Sequence, residues 1–256
     1  MEHITSRDNA LLKRVRALLR DGAGYRRSGW VWLEGDHLIR AAIARGWQPR
    51  VLMWTEAGQQ QWPQGLELSC RHVCVDAAMM RELTTLETPA RMGALLEWKS
   101  VETLKPTWPT VVLDRLQDPG NAGSILRSAA AMGFTQVVAL RGTVALWSPK
   151  VVRAGMGAHF GLHIVEQAQA DQLAELALPL LATSSHQGEY LHEAKLPWPC
   201  AWLMGHEGQG VSEALMARAD QTCRIVQPGG EESLNVAAAA AICLHASAIS
   251  AQVRGL

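Results

Sequence analysis

The chain has 256 residues, 48 % of them hydrophobic, with 24 basic and 24 acidic side chains and a formal net charge of zero. That length and apolar content suffice for one large domain or two smaller ones, and no apolar run approaches the roughly 20 residues that a membrane-spanning helix needs. The stretch Met1–Arg20 carries charges throughout and lacks a signal-peptide core, so the expectation is a cytoplasmic protein with no membrane partner.

The first element read from the sequence is an amphipathic helix over 6–22. Leu11, Leu12, Val15, Leu18 and Leu19 recur at helical spacing, Ser6 or Asp8 can cap the start, and Gly22 can end it. The opposite face carries Lys13, Arg14, Arg16 and Arg20. Residues 1–50 hold ten Lys/Arg against five Asp/Glu, so the positive charge of a neutral chain is gathered here. Such a face supplies phosphate affinity through counterion release, which makes these four the candidate RNA contacts; a merely solvated helix face reads the same way. Strands follow at 30–33, 51–54, 72–75 and 92–98, with helices at 36–45 and 77–83, a small α/β unit.

Five cysteines at scattered spacing argue against a disulfide framework. Cys70, His72 and Cys74 fall on one face of a predicted strand, but no second ligand pair follows at zinc-finger distance, so no metal is expected.

Residues 102–109 contain two prolines and no period, the candidate linker between a domain at 1–101 and one at 110–256. The second domain reads as strands at 110–114, 136–140, 162–165, 180–183, 201–204 and 223–226. Helices are expected at 123–132, ended by Gly133, and at 234–252.

Three stretches carry chemistry. Asp118-Pro-Gly-Asn-Ala-Gly-Ser-Ile-Leu-Arg127 follows a strand and opens a helix, whose start presents free N–H groups and a positive dipole end. Asn121 and Arg127 are its candidate phosphate or ribose contacts, with Arg127 expected near that end. Leu203-Met-Gly-His-Glu-Gly-Gln-Gly210 follows another strand, and its glycines let backbone approach a ligand closely. It matches neither common phosphate loop. Glu207 is its candidate acceptor, and His206 reads as exposed, with a catalytic role as the alternative. Ile225-Val-Gln-Pro-Gly-Gly-Glu-Glu-Ser-Leu-Asn-Val236 places Ser233 and Asn235 at the mouth of the last helix, where Ser233 either caps the helix or points into a site.

Taken together, Asn121-x-Gly123-x-x-x-Arg127, Gly205-x-Glu207-x-x-Gly210 and Glu232-Ser-Leu-Asn-Val236 resemble, in order and spacing, the three motifs of the SPOUT superfamily in its ribose-methylating SpoU (TrmH-like) branch. The resemblance covers about 110–250. More weakly, Ser6-x-x-Asn9-x-x-x-Lys13 and Leu33-Glu-Gly-Asp-His-Leu38 resemble the L30e-like RNA-binding domain that precedes the catalytic domain in many members.

The resemblance implies an α/β fold with a deep trefoil knot in the C-terminal domain, a feature too rare to propose from pattern alone. It implies a homodimer, S-adenosyl-L-methionine as cofactor and an RNA ribose 2′-hydroxyl as methyl acceptor, without a metal. Leu203, Met204, Gly205, Gly210, Ile225 and Leu234 are the implied cofactor contacts. Arg127, Asn121, Glu207, Ser233 and Asn235 are the implied catalytic set, with Arg127 acting as base or as stabiliser of the developing alkoxide. The N-terminal domain points to 23S ribosomal RNA. Transfer RNA and a non-catalytic assembly factor of the same fold are the alternatives, and a generic nucleotide-dependent enzyme lacks its phosphate-loop signature. One departure stands out: Gly155 occupies a position where relatives often carry serine, in a region expected to face the RNA.

Overall fold

The computed structural model describes residues 2–61, 69–84, 86–229 and 233–253. It divides into two compact units, one of residues 1–100 with 147–160 and one of 101–146 with 161–256. The fold is mixed α/β with largely parallel sheets.

In the first unit the elements run β1 (Glu2–Ile4), α1 (Ala10–Arg20), α2 (Tyr25–Ser28), β2 (Trp30–Glu34), α3 (Asp36–Ala44), β3 (Val51–Trp54), α4 (Glu56–Gln61), β4 (Arg71–Val75), α5 (Ala77–Arg81) and β5 (Met92–Glu97). The sheet order is β1-β4-β3-β5-β2, with β1, β4 and β3 parallel and β5 antiparallel to both neighbours. β1, α2 and α4 are too short for a periodic signal. Helix α1 buries Leu11, Leu12, Val15 and Leu18 as expected, but begins later than predicted. Asn9, not Ser6 or Asp8, caps it by accepting from the Leu11 N–H at 2.8 Å, and Asp21 rather than Gly22 ends it. Lys13, Arg14 and Arg20 are exposed, whereas Arg16 is half-buried and paired with Glu82. The Arg14 guanidinium lies 5.0 Å from the Trp30 ring centroid. His72 packs edge-on against Trp54 at 5.1 Å, and no cluster of three metal-ligating side chains occurs among the described residues.

The second unit is built on β6 (Thr110–Leu113), α6 (Pro119–Ala131), β7 (Gln136–Leu140), β8 (His163–Ala168), β9 (Leu180–Thr183), β10 (Glu189–Tyr190), β11 (Ala201–Met204), α8 (Glu213–Met216), β12 (Gln221–Arg224) and α9 (Val236–Val253). Helix α7 (Pro149–Ala154) counts with the first unit, so the expected continuous domain at 110–256 is interrupted. The seven strands are all parallel, in the order β10-β12-β9-β11-β6-β7-β8. Central strands β6, β7 and β11 are buried at every residue, the apolar run expected of a parallel sheet covered on both faces. Helix α9 packs on β11 and α6, and its Ser247 hydroxyl accepts from the buried Trp202 Nε1 at 2.9 Å. No helix among the described residues is long and apolar enough to cross a membrane.

The predicted linker is not free chain. Leu104 is buried in the second unit's core, the Lys105 N–H donates to Gln136 Oε1 at 2.7 Å, and the Thr103 carbonyl lies 2.8 Å from His163 Nε2. Its prolines stop regular structure without stopping burial.

Candidate active site

The three motif stretches begin at one edge of the second sheet. Strands β6, β9, β11 and β12 are parallel neighbours, so the segments following them leave from the same carboxyl edge, where open α/β sheets bind ligands.

After β6, Asp114 is buried and holds the turn. Its Oδ2 accepts from the Ser212 N–H at 2.7 Å and its Oδ1 from Arg115 Nε at 3.1 Å. Arg115 sits at φ 58°, a left-handed conformation unusual for a side-chain-bearing residue, and its Nη1 donates to Gln209 Oε1 at 3.0 Å. Asp118 then caps α6 through the Asn121 N–H at 2.7 Å, with Pro119 pre-set for the first turn. The helix therefore starts at Pro119, four residues before the predicted start. Arg127 consequently lies more than two turns along α6, at about 3.6 residues per turn, and not near the dipole end.

After β11, residues 205–210 close on themselves. The His206 N–H donates to the Gly210 carbonyl at 3.0 Å and the Gly210 N–H to the His206 carbonyl at 2.8 Å. Gly205 is obligatory here, since a Cβ would lie 2.0 Å from the Gly210 carbonyl carbon. The Glu207 carboxylate reaches the first stretch. It accepts from the Asp118 N–H at 2.8 Å, the Gln117 N–H at 3.1 Å and Asn121 Nδ2 at 3.3 Å. Partial burial alone would raise its proton affinity, but these N–H groups outweigh it and hold the carboxyl below its usual range.

After β12, the chain returns to the same place. Asn235 Nδ2 donates to Asn121 Oδ1 at 3.0 Å, while Asn235 Oδ1 accepts from the Ala237 and Ala238 N–H groups at 2.9 and 3.2 Å. Asn235, not Ser233, thus closes the start of α9. Glu232 of the third motif lies outside the described residues.

The structure therefore joins Asn121, Glu207 and Asn235 into one network. It does not join Arg127 to them. Arg127 is exposed and makes no hydrogen bond or ion pair with another described residue. Ser233 is exposed and lines a neighbouring cavity of about 470 Å³, together with Gly205, Gly210, Ile225 and Leu234. Leu203 and Met204 do not line it, because their side chains are fully buried on β11. A strand that is buried on both faces leaves only its backbone for a ligand at its end.

Sequence reasoning missed the loop after β9, whose Ser184, His186 and Gln187 also line the cavity. The signal was a polar run ending in Gly188 directly after an apolar strand. Asp114 and Arg115 were missed as well, for they hold the loops from behind and belong to no glycine pattern. Gly155 is tightly packed. A Cβ there would lie 2.6 Å from Cε1 of the buried His159.

The cavity volume falls in the range of roughly 300–1,000 Å³ typical of small-ligand sites. Its walls combine apolar Ile225, Leu234 and Val236 with polar Ser184, His206 and Gln227, which suits a ligand that is part heteroaromatic and part polar.

Comparison with known proteins agrees with this geometry. Residues 109–245 match the SpoU rRNA Methylase family model. The chain is 30 % identical to the 23S rRNA (guanosine(2553)-2′-O)-methyltransferase RlmP of Bacillus subtilis, over 83 % of this chain and 86 % of that one. The SpoU methyltransferase AviRb of Streptomyces viridochromogenes, solved in complex with the cofactor AdoMet, superposes with a TM-score of 0.82 at 26 % identity, covering 94 % of this chain and 97 % of that one. An AdoMet-bound rRNA methyltransferase of Sinorhizobium meliloti gives a TM-score of 0.82 at 26 % identity, covering 96 % and 97 %. A family match over more than half of the chain, and a relative aligned along most of both chains, establish that this chain belongs to the SpoU rRNA methylase family.

Proposed function

We propose that the chain transfers a methyl group from S-adenosyl-L-methionine to a ribose 2′-hydroxyl of large-subunit ribosomal RNA. The observation that carries this reading is the closure of three distant loops through Asn235, Asn121 and Glu207 beside the cavity. When bound, the cofactor supplies a methyl group already activated on a sulfonium, so the protein's task is alignment and electrostatics.

The cavity fits that group. Gly205 lets the loop after β11 close tightly on Gly210 and Val211 at the cavity wall, and Ile225, Leu234 and Val236 offer apolar contact to an adenosine. Among the protein's own groups, Glu207 is a poor base. Its lone pairs are already engaged and its proton affinity is lowered. Its role is to fix Asn121. Arg127 is exposed on α6 without a hydrogen bond or ion pair to another described residue, and its guanidinium stays protonated in ordinary settings. Its proposed part is to stabilise the alkoxide that develops on the 2′-oxygen, or the adjoining phosphate, with Ser233 on the cavity side.

Further features fit the same reading. β12 lies next to the sheet's edge strand, yet Asn235 bonds to Asn121 beyond β6, an arrangement compatible with the trefoil knot of the SPOUT fold. A groove lined by Met132, Leu191, Val226 and Ile242, with Val226 and Ile242 exposed by 45 % and 41 %, suits a homodimer face. The sheet of the first unit, together with Lys13, Arg14 and Arg20 exposed on α1, suits an L30e-like RNA-binding domain.

The test is Arg127→Ala. Calorimetry should show S-adenosyl-L-methionine binding within about twofold of the parent, while transfer to ribosomal RNA is lost; full activity would overturn the assignment. Mapping 2′-O-methyl sites in total RNA from a deletion strain and its parent tests the substrate. A lost transfer-RNA site with ribosomal RNA unchanged would overturn the ribosomal reading.

A further inference from the structure

The cavity wall contains an imidazole whose hydrogen-bonding state is set by the backbone. Nδ1 of His206 accepts from the Gly208 N–H at 3.0 Å. An acceptor nitrogen carries no proton, so the ring's proton sits on Nε2, which is left as a donor. Nε2 has no partner among the described residues, and the side chain is half-buried in the cavity wall. The double backbone bond between His206 and Gly210 and the Arg115–Gln209 hydrogen bond hold the same loop, so this donor is presented without loop rearrangement.

A second donor stands on the loop after β9. Ser184 Oγ accepts from the N–H groups of His186 and Gln187 at 3.2 and 3.3 Å, which leaves its own O–H to donate. The cavity lining contains no Lys or Arg among the described residues. An anionic group entering this cavity therefore meets imidazole and hydroxyl donors rather than a fixed cation, while the Glu207 carboxylate of the same lining is turned to the N–H groups of Asp118, Gln117 and Asn121.

Resting on the methyltransferase reading above, we infer that His206 Nε2–H, with the Ser184 hydroxyl, binds the carboxylate of the cofactor's methionyl tail. The tail is the anionic part of that ligand, and a charge-assisted hydrogen bond to it is stronger than a neutral one. His206 is then a binding residue of this chain, and Gly208 is the group that fixes its tautomer.

The test compares two ligands by isothermal titration calorimetry on the full chain. S-adenosylhomocysteine carries the amino-acid carboxylate; 5′-methylthioadenosine lacks it. His206→Ala should weaken S-adenosylhomocysteine about tenfold and leave 5′-methylthioadenosine within twofold. His206→Gln, which keeps an N–H donor, should recover most of the loss. Equal weakening of both ligands would assign His206 a purely structural role in the loop and overturn the inference. Unchanged binding of both, with a raised KM for RNA, would move His206 to the RNA side and overturn it too. A parent chain that binds neither ligand would instead sink the cofactor reading itself.

Discussion

Asn235 donates through Nδ2 to Asn121 Oδ1 at 3.0 Å, although 114 residues separate them. Both amides have their orientation dictated from outside the pair. The Glu207 carboxylate can only accept, so Asn121 must turn its NH2 towards it and its oxygen towards Asn235. Asn235 must then present its own NH2, which turns its oxygen to the N–H groups of Ala237 and Ala238 at the start of α9. A carboxylate at one end and a helix start at the other thus leave one consistent arrangement for three loops. Asn235→Ala removes both the bridge and the cap. It is expected to cost about 1–2 kcal/mol of stability, the usual worth of a helix cap, and to reduce methyl transfer more than tenfold. Asn235→Asp keeps the cap but sets a carboxylate against Asn121 Oδ1. It should therefore retain stability better than activity, a split read by thermal unfolding beside a methyl-transfer assay.

Glu207 gives a dependence on pH. Partial burial opposes ionisation, but the N–H groups of Asp118, Gln117 and Asn121 together hold its folded pKa below the ordinary value of 4.5. A depressed carboxyl contributes stability at pH above the unfolded value and loses it as pH falls through the folded value. Thermal unfolding followed downward from pH 6 should show the parent losing stability below about pH 4.5, with a shallower loss in Glu207→Gln. Identical slopes for the two would show that the three N–H bonds do not set this carboxyl.

The loop after β11 makes the sharpest steric prediction. A Cβ on Gly205 would lie 2.0 Å from the Gly210 carbonyl carbon and 2.1 Å from the Val211 nitrogen, and both are backbone atoms that cannot step aside. Gly205→Ala should cost about 3 kcal/mol, the upper end for overpacking, and abolish cofactor binding measured by calorimetry. Gly210 is the contrasting site. Its surroundings are open, and its φ of 69° is what favours glycine. Gly210→Ala should therefore cost only about 1 kcal/mol, the scale of left-handed backbone strain.

Much of this was legible in the sequence, for identifiable reasons. Periodicity found α1, α3 and the long strands because buried faces repeat. It placed the start of α6 four residues late, because Pro119-Gly120 reads as a turn although Asp118 and Pro119 together form a helix cap. That error carried over to Arg127, which seemed near the dipole end. The three motifs named Asn121, Glu207 and Asn235 correctly as neighbours, yet spacing does not reveal which amide faces which. Leu203 and Met204 illustrate a different limit, since their side chains do not reach the cavity. A motif includes the strand end before its loop, and those side chains belong to the core. The membership of residues 147–160 in the first unit was beyond reach, since an apolar segment carries no label for the core it enters.

Gly155 separates packing from catalysis. The buried His159 ring occupies the space where a side chain on Gly155 would go. Gly155→Ser should therefore destabilise the protein by about 1–3 kcal/mol through overpacking. Cofactor affinity should not change, since the cavity is lined by residues between Thr183 and Ala239. A variant with wild-type stability and weakened RNA binding would restore an RNA-facing role to this position.

The basic helix can be tested by its salt dependence. Lys13 pairs with exposed Asp8 at 3.1 Å and Arg14 lies over Trp30, but exposed contacts of this kind hold a side chain weakly. Both remain available to phosphate, as does Arg20, while Arg16 is committed to Glu82. Each phosphate contact contributes close to one unit to the slope of log affinity against log salt. Lys13→Ala with Arg14→Ala should weaken binding to a ribosomal RNA fragment and lower that slope by about 2, without altering S-adenosylhomocysteine affinity. Arg16→Ala should instead act mainly on stability, because it removes a half-buried ion pair and leaves Glu82 with Arg7 alone, and should leave the slope near that of the parent. A slope unchanged by the double substitution would show that this face stays solvated when RNA is bound.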